Sequence, residues 1–402
     1  MVRPDRRQAV VLGLAAVAAV VAAAVEATSA PAFVDLSVYR FGAGQVVRGE
    51  EVYAGTDPAS GLPFTYPPFA ALLFLPLAVL PSPLAAGLLA GASVAALGWT
   101  VRLLAPTTGP TALGLVLAGL VVLEPVEQTL SFGQVNLLLL GLVTAAVLQP
   151  DRARSPWLLG VAAGLKLTPL VFVVLLALVG RGGQAGRALA VFGGTVLLGA
   201  AVLPRDAEAY WTAAVWDPDR VGGVAFVSNQ SVNGLLARLG DGHPSTASWL
   251  VVAGATSLAA LASGVAWYRR GHRDLGLALA GAAMLLASPV SWSHHWVWVV
   301  VAVLALPRTA PVVVAVFATR LLWWPPHRED RELDWGPVEH LAGGSYLLLA
   351  LILVLGSAAA LVRAGRRPTS APEPEDGPDP EHDDGGTEDR HRDDAAAHGT
   401  PP

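Results

Sequence analysis

Apolar residues recur in long runs along almost the whole chain and are separated by short polar stretches. Twelve runs are candidate membrane helices: 8–25, 65–81, 84–104, 111–124, 135–149, 157–179, 188–203, 248–267, 275–287, 296–306, 310–324 and 345–362. At a rise of 1.5 Å per residue, about 20 apolar residues cross a hydrocarbon core. Several runs are shorter than this or contain prolines. The pattern therefore predicts an all-α, polytopic membrane protein with about ten to twelve transmembrane helices.

Composition points to the same class. Of the 402 residues, 53% are hydrophobic and 14% are charged, whereas charged residues make up roughly 25% of a soluble domain. The absence of cysteine excludes disulfides and cysteine-bound metals. The net charge of −5 is uneven, because residues 371–402 hold eleven acidic residues and two arginines. We therefore predict a membrane domain over 1–367 and a disordered, acidic, Pro- and Gly-rich cytoplasmic tail over 368–402.

The placement of arginine predicts the orientation. Arginines cluster before the first apolar run and near residues 181–187, 269–273 and 363–367. Such clusters favour the cytoplasmic side, which predicts that both termini are cytoplasmic. The segments predicted to lie outside are 26–66, 204–247 and 325–344.

The first outer segment contains an acidic residue, Asp35, a few residues past the first apolar run. Phe33, Leu36 and Val38 predict a short helix lying on the membrane surface. A carboxylate in this place either takes a proton from a substrate at the bilayer surface or caps the short helix. The residues alone leave both interpretations open.

Polar side chains that interrupt apolar segments cost a few kcal/mol each on insertion scales, so each needs a reason. Besides Asp35, the candidates are Tyr39, Tyr66, Gln134, Asn136, Lys166, Asn229, Gln230, Asn233, His294 and His295. The amides of Gln134 and Asn136 either join helices or hydrogen-bond a substrate. Lys166 either snorkels to the surface or binds an anion, for which phosphate is the natural candidate.

The histidine pair allows two interpretations as well. His294 and His295 lie near Trp292, Trp296 and Trp298, which is typical of an interfacial aromatic belt. One histidine could instead donate to a substrate oxygen while the other packs. Metal binding is the weaker interpretation, since neighbouring residues on a helix point about 100° apart.

Taken in order, these clusters resemble the polyprenyl-phosphate-mannose-dependent mannosyltransferases of glycosyltransferase family 87, once catalogued as domain of unknown function 2029. The resemblance covers most of residues 8–362. Its motifs are Asp35 with Val38-Tyr39, Thr65-Tyr66-Pro67-Pro68, Gly133-Gln134-Val135-Asn136, Lys166 with Pro169, Asn229-Gln230-Ser231, and Ser288-Pro289 through Ser291-Trp292 to His294-His295.

The resemblance implies a GT-C architecture, a helical bundle in the plasma membrane whose active site faces away from the cytoplasm. It implies that Asp35 is the catalytic base, acting with inversion to give an α-mannoside. The implied donor-phosphate ligands are Lys166, His294 and His295. The implied substrate contacts are Tyr39, Tyr66, Gln134, Asn136, Asn229, Gln230 and Asn233.

The expected partners are a polyprenyl-phosphate sugar donor, a lipid or glycan acceptor and membrane lipids. No metal or other cofactor is expected, because Asp35 has no acidic neighbour, and no feature suggests nucleic-acid binding. Two alternatives remain. One is a GT-C transferase of another sugar such as arabinose, or an oligosaccharide ligase. The other is a non-enzymatic transporter, which is expected to place its essential acids near the bilayer midplane.

Overall fold

The computed structural model describes residues 33–149 and 153–365, and every named element within them is helical. This confirms the predicted all-α class. The first ten helices are α1 (Val34–Arg48), α2 (Pro68–Leu73), α3 (Leu75–Val79), α4 (Ser82–Leu104), α5 (Pro110–Val121), α6 (Glu124–Ser131), α7 (Asn136–Leu148), α8 (Ser155–Leu165), α9 (Leu170–Leu178) and α10 (Gly182–Val202).

The second half continues in the same way. Its helices are α11 (Pro204–Thr212), α12 (Val232–Leu239), α13 (Thr246–Arg269), α14 (Arg273–Ala287), α15 (Val299–Ala305), α16 (Ala310–Ala318), α17 (Pro337–Gly343) and α18 (Ser345–Gly365). Short 3₁₀ turns lie between them at Ala214–Trp216, Pro218–Val221, Ser293–Trp298, Leu321–Trp323 and Arg331–Asp334.

Within the described residues, four helices are long and apolar enough to cross a membrane: α4, α10, α13 and α18. Helices α5 and α6 make a fifth span if the 82° bend between them lies within one membrane segment. The protein is therefore a multi-pass membrane protein. The predicted first run at 8–25 and the predicted tail at 368–402 lie outside the described residues.

Several predicted runs form short or broken helices rather than full spans. The run predicted over 157–179 is interrupted at Lys166, whose backbone is extended (φ −149°, ψ 133°), and resumes as α9 after Pro169. Prolines also begin α2, α5 and α8 within their first two residues, where their missing N–H costs no helical bond. Irregular backbone inside a membrane is tolerated where protein or a cavity surrounds it.

Small residues let the helices on either side of these breaks pack closely. Gly160 and Gly164 of α8 lie against Val191 and Thr195 of α10. A Cβ at Gly160 would stand 2.5 Å from the Val191 Cβ, so only glycine permits this approach. Close backbone contact of this kind is the main source of helix association in lipid, where no hydrophobic effect drives the helices together.

A helix forms at the predicted place and is α1, and its location on the membrane surface stays a prediction. It buries Leu36, Val38 and Tyr39 against α2 and α3. Arg40 donates to the backbone oxygens of Leu77 and Leu80 at the end of α3, the latter at 2.8 Å, which satisfies carbonyls that the helix end leaves free. These contacts fix α1 to the membrane domain.

Candidate active site

A cavity of about 960 Å³ lies where the broken helices meet. Its wall includes eight of the residues singled out in the sequence, namely Asp35, Tyr66, Gln134, Asn136, Lys166, Asn233, His294 and His295. These residues are up to 260 positions apart along the chain. The fold thus gathers most of the unusual polar side chains around one space.

Asp35 is held in the first turn of α1 by a backbone contact with another element. The N–H groups of Asp35 and Leu36 donate to the carbonyl of Phe132 at 3.0 and 3.1 Å. These groups are among the donors that the start of a helix leaves free. Gly133 makes the contact possible, since its φ is +64° and a Cβ there would lie 2.8 Å from the Leu36 Cβ. Asp35 therefore has a fixed backbone at the cavity wall.

The environment of Asp35 changes its acidity. Burial raises the pKa of the Asp35 carboxyl to about 7, and the charge of Lys166 across the cavity lowers it in part. Desolvation disfavours the charged form of a carboxyl group, which explains the direction. A carboxylate with a pKa near neutrality is well suited to accept a proton.

Lys166 lies in the break between α8 and α9 and its amine faces a set of polar partners. The amine donates to the Asn136 Oδ1 at 3.2 Å and contacts the His295 Nε2 at 3.1 Å. It also lies 5.6 Å from the centre of the Tyr66 ring. When the lysine donates to the His295 Nε2, that nitrogen carries no proton and the ring proton lies on Nδ1. The lysine does not snorkel to the surface but lines the cavity.

Gln134 and Tyr66 form one polar corner of the cavity, with Tyr39 behind it. The Gln134 Oε1 accepts from the hydroxyls of Tyr39 and Tyr66, the latter at 3.0 Å, and from the backbone N–H of Val135 at 2.9 Å. Tyr39 is fully buried, its hydroxyl lies 3.0 Å from that of Tyr66, and its ring stacks on Phe74. Tyr39 is not part of the cavity wall.

The histidine pair lies on the 3₁₀ turn Ser293–Trp298. The carbonyl of His294 accepts from the Thr129 Oγ1 at 3.1 Å and from the Asn136 Nδ2 at 2.9 Å. Asn136 therefore joins Lys166 to the histidine turn. Both imidazoles line the cavity, and of the two it is His295 that contacts Lys166.

Of the three remaining predicted residues, one lines the cavity and two are buried outside its wall. Asn233 lines the cavity, whereas Asn229 and Gln230 are fully buried outside its wall. The Asn229 Oδ1 accepts from the backbone N–H of Ser291 at 3.0 Å, and the Gln230 N–H donates to the Ser291 carbonyl at 2.8 Å. The Asn229 side chain and the Gln230 backbone thus hold the segment before α12 against the segment that precedes the histidine turn.

Sequence reasoning missed a buried carboxylate, Glu124, at the bend between α5 and α6. Glu124 has no exposed surface, and its two oxygens accept from the Trp323 Nε1 at 2.9 Å and the Tyr346 hydroxyl at 3.1 Å. It was hidden in the sequence because it ends an apolar run and precedes a proline. Arg220, which lines the cavity, was also missed. Within 33–149 and 153–365, no group of three or more acidic or histidine side chains could hold a metal ion.

Fold and site together define an integral membrane protein with a partly buried acid and a lysine–histidine pair facing one cavity. The profile of glycosyltransferase family 87 matches residues 64–289. The chain belongs to this family. The match includes Lys166 and the amides but ends before the histidine turn and begins after Asp35.

Curated relatives extend the similarity beyond that range. The chain is 34% identical over 372 residues to a polyprenol-phosphate-mannose-dependent alpha-(1-2)-phosphatidylinositol mannoside mannosyltransferase of Mycobacterium tuberculosis, covering 81% of this chain and 85% of that relative. A protein of the same description from Mycolicibacterium smegmatis is 35% identical over 379 residues, covering 81% and 84%.

A third relative differs in the acceptor that its name gives. A polyprenol-phosphate-mannose-dependent alpha-(1-2)-phosphatidylinositol pentamannoside mannosyltransferase of M. tuberculosis is 39% identical over 308 residues, covering 74% of this chain and 71% of the relative. No solved structure matches the chain significantly.

Proposed function

We propose that the protein transfers mannose from polyprenyl-phosphate-mannose to a phosphatidylinositol mannoside. The names of its relatives supply the donor and the class of acceptor. The observation that carries the proposal is that Asp35 and Lys166 both lie on the wall of one cavity. The Asp35 carboxylate is suited to accept a proton from the acceptor, and the Lys166 amine is suited to bind a phosphate.

The hydrogen-bond partners of the Lys166 amine are residues other than Asp35. In the part of the chain that the structure describes, the Lys166 amine bonds to Asn136 and His295 and makes no ion pair with Asp35. The carboxylate therefore keeps lone pairs for an acceptor hydroxyl. The amine, which has three donors, keeps at least one for a phosphate oxygen.

The reaction then proceeds by direct displacement. Asp35 accepts the proton of an acceptor hydroxyl while that oxygen forms a bond to the anomeric carbon of mannose. The bond from this carbon to the phosphate oxygen breaks, and its electron pair leaves with polyprenyl phosphate. Lys166 and His295 stabilise the charge that develops on the phosphate, with His294 and the amides of Gln134 and Asn136 as further donors. Attack opposite the phosphate inverts the anomeric carbon, so a β-linked donor gives an α-mannoside.

The membrane setting follows from the donor. A polyprenyl-linked sugar stays in the bilayer with its head group at the surface, so the donor must enter the active site from the membrane. The arginine distribution supports a plasma-membrane protein whose cavity opens on the extracytoplasmic face, with both termini in the cytoplasm.

The test is transfer of labelled mannose. Membranes that contain the protein are incubated with polyprenyl-phosphate-[¹⁴C]mannose and purified phosphatidylinositol mannosides, and membranes without it serve as the control. We expect a labelled glycolipid that α-mannosidase digests. Transfer from polyprenyl-phosphate-arabinose but not from the mannose donor would establish the alternative GT-C enzyme, and labelled donor crossing sealed vesicles without product would establish a transporter.

A further inference from the structure

The cavity wall carries a second cation, Arg220, that the proposed mechanism does not use, and the same segment also contributes Asp217 to the wall. The segment after the span α10 begins directly with α11 and continues through the turns Ala214–Trp216 and Pro218–Val221. Tyr210, Trp216 and Arg220 of this segment line the cavity. Because the segment directly follows a membrane span, this wall lies close to the level of the lipid head groups.

Trp216 supports that placement. Its side chain is 75% exposed, and its Nε1 donates to the carbonyl of Trp211 at 2.9 Å. A tryptophan with an apolar face in contact with lipid and a satisfied N–H is typical of the membrane–water interface. The exposure and the hydrogen bond of Trp216 therefore favour a location of this part of the cavity wall at the membrane–water interface.

Arg220 lies on the same wall and is held in place by backbone carbonyls. Its Nη2 donates to the carbonyls of Tyr53 and Phe64 at 3.2 and 3.3 Å. Its Nε is buried without a hydrogen-bond partner in the described structure. A guanidinium has five N–H donors in a planar fork that matches a phosphate group. The carbonyls fix the fork without neutralising its charge.

Arg220 is distinct from the donor-phosphate site but close to it. Phe64, which it contacts, is two residues before Tyr66, whose ring lies 5.6 Å from the Lys166 amine. Two residues of extended chain span at most about 7 Å. The cavity thus presents two cationic groups that contact one chain segment at positions two residues apart, one group in a helix break and one in the segment after α10.

We propose that Arg220 binds the phosphodiester of the lipid acceptor, while Lys166 and His295 bind the phosphate of the donor. This assignment rests on the proposed function and adds the requirement that the acceptor is an anionic phospholipid glycoside. The phosphodiester of a phosphatidylinositol mannoside lies at the head-group level, where Trp216 and Arg220 lie. Its sugars then extend towards Asp35.

The experiment compares two acceptors that differ in the phosphodiester. Initial rates of mannose transfer are measured for the wild-type protein and for Arg220→Gln with a purified phosphatidylinositol mannoside and with a neutral alkyl α-mannoside. For Arg220→Gln, we expect the KM for the phospholipid acceptor to rise roughly tenfold or more, the scale of one lost charge-assisted hydrogen bond. The KM for the alkyl mannoside and the KM for the donor are expected to stay within about twofold.

The matched control is Arg205→Gln, which removes an exposed charge from α11 outside the cavity. It is expected to leave every KM unchanged. An equal rise in KM for both acceptors in Arg220→Gln would show a purely structural role, and a rise for the donor alone would assign the arginine to the donor phosphate. Either result overturns the proposal.

A wild-type measurement keeps the proposal testable if Arg220→Gln does not insert into membranes. The wild-type protein must have a KM for the phospholipid acceptor that is roughly tenfold or more below that for the alkyl mannoside, and equal values refute the assignment. If the wild-type protein transfers mannose to neither acceptor, the proposed function itself is wrong, which is a separate outcome.

Discussion

The role of Asp35 is tested most directly by the substitution Asp35→Asn. The amide has nearly the same size as the carboxyl group, and the contacts that hold this residue are made by its backbone. The N–H groups of Asp35 and Leu36 would still donate to Phe132. The substitution therefore removes the proton acceptor and leaves the frame of the site in place.

The expected loss follows from the chemistry of a positioned base. General-base catalysis contributes typically 10²–10⁴-fold, which corresponds to about 3–5.5 kcal/mol of activation free energy. We expect kcat for mannose transfer to fall within this range. Donor binding is expected to remain or to tighten slightly, because Asp35 and Lys166 attract each other in the wild-type protein and Lys166 would be free to face the phosphate alone.

The assay measures kcat and the dissociation constant of polyprenyl-phosphate-mannose separately, in membranes or detergent. Glu50→Gln is the matched control, since Glu50 is an exposed carboxylate directly after α1 and outside the cavity wall. That control is expected to keep the wild-type kcat. If Asp35→Asn transferred mannose at the wild-type rate, Asp35 would not be the base and the proposed mechanism would fail.

Four further predictions follow from the site. Because the Asp35 carboxyl has a pKa of about 7 and must be ionised to accept a proton, kcat/KM is expected to fall about tenfold per pH unit below that value; a flat profile down to pH 5 contradicts this. Lys166→Met is expected to raise the donor KM roughly tenfold or more. It is also expected to move the fall of kcat/KM on the acidic side to higher pH, because a charge that favours the Asp35 carboxylate is lost; an unchanged pH profile would show that Lys166 does not influence Asp35. Gly133→Ala is expected to cost about 1–3 kcal/mol, seen as a lower Tm together with reduced kcat, since its φ is +64° and its new Cβ meets Leu36; an unaltered Tm would refute the close contact. Tyr39→Phe is expected to lower stability by about 1 kcal/mol with substrate KM within about twofold, whereas a large KM change at unchanged Tm would restore the substrate contact expected from the sequence.

The sequence predicted the class of fold because the apolar runs determine where helices form. It did not predict how many runs cross the membrane in one piece. The run over 157–179 is a single span by hydropathy, yet it breaks at Lys166. Hydropathy averages over a window, whereas a break depends on one charged side chain, a nearby proline and the cavity they face.

The candidate site was predictable to the extent that its residues break a pattern. Lys166 stands out as a charge in an apolar segment, and it does line the cavity. The pattern does not distinguish a wall residue from a support behind the wall, so Tyr39, Asn229 and Gln230 were grouped with residues that reach the cavity. Arg220 was missed because an arginine in a polar segment between apolar runs looks ordinary until its neighbours in space are known.

The short helix α6 with the residues directly after it contacts both groups of residues to which the proposed mechanism assigns a role. Its Phe132 carbonyl holds the start of α1, and its Thr129 hydroxyl holds the backbone of His294. Hydrogen bonds to this one short element therefore fix the position of the proposed proton acceptor relative to the proposed phosphate ligands. Substitutions in the loops around the cavity opening are therefore expected to leave these two contacts, and the spacing that they fix, in place.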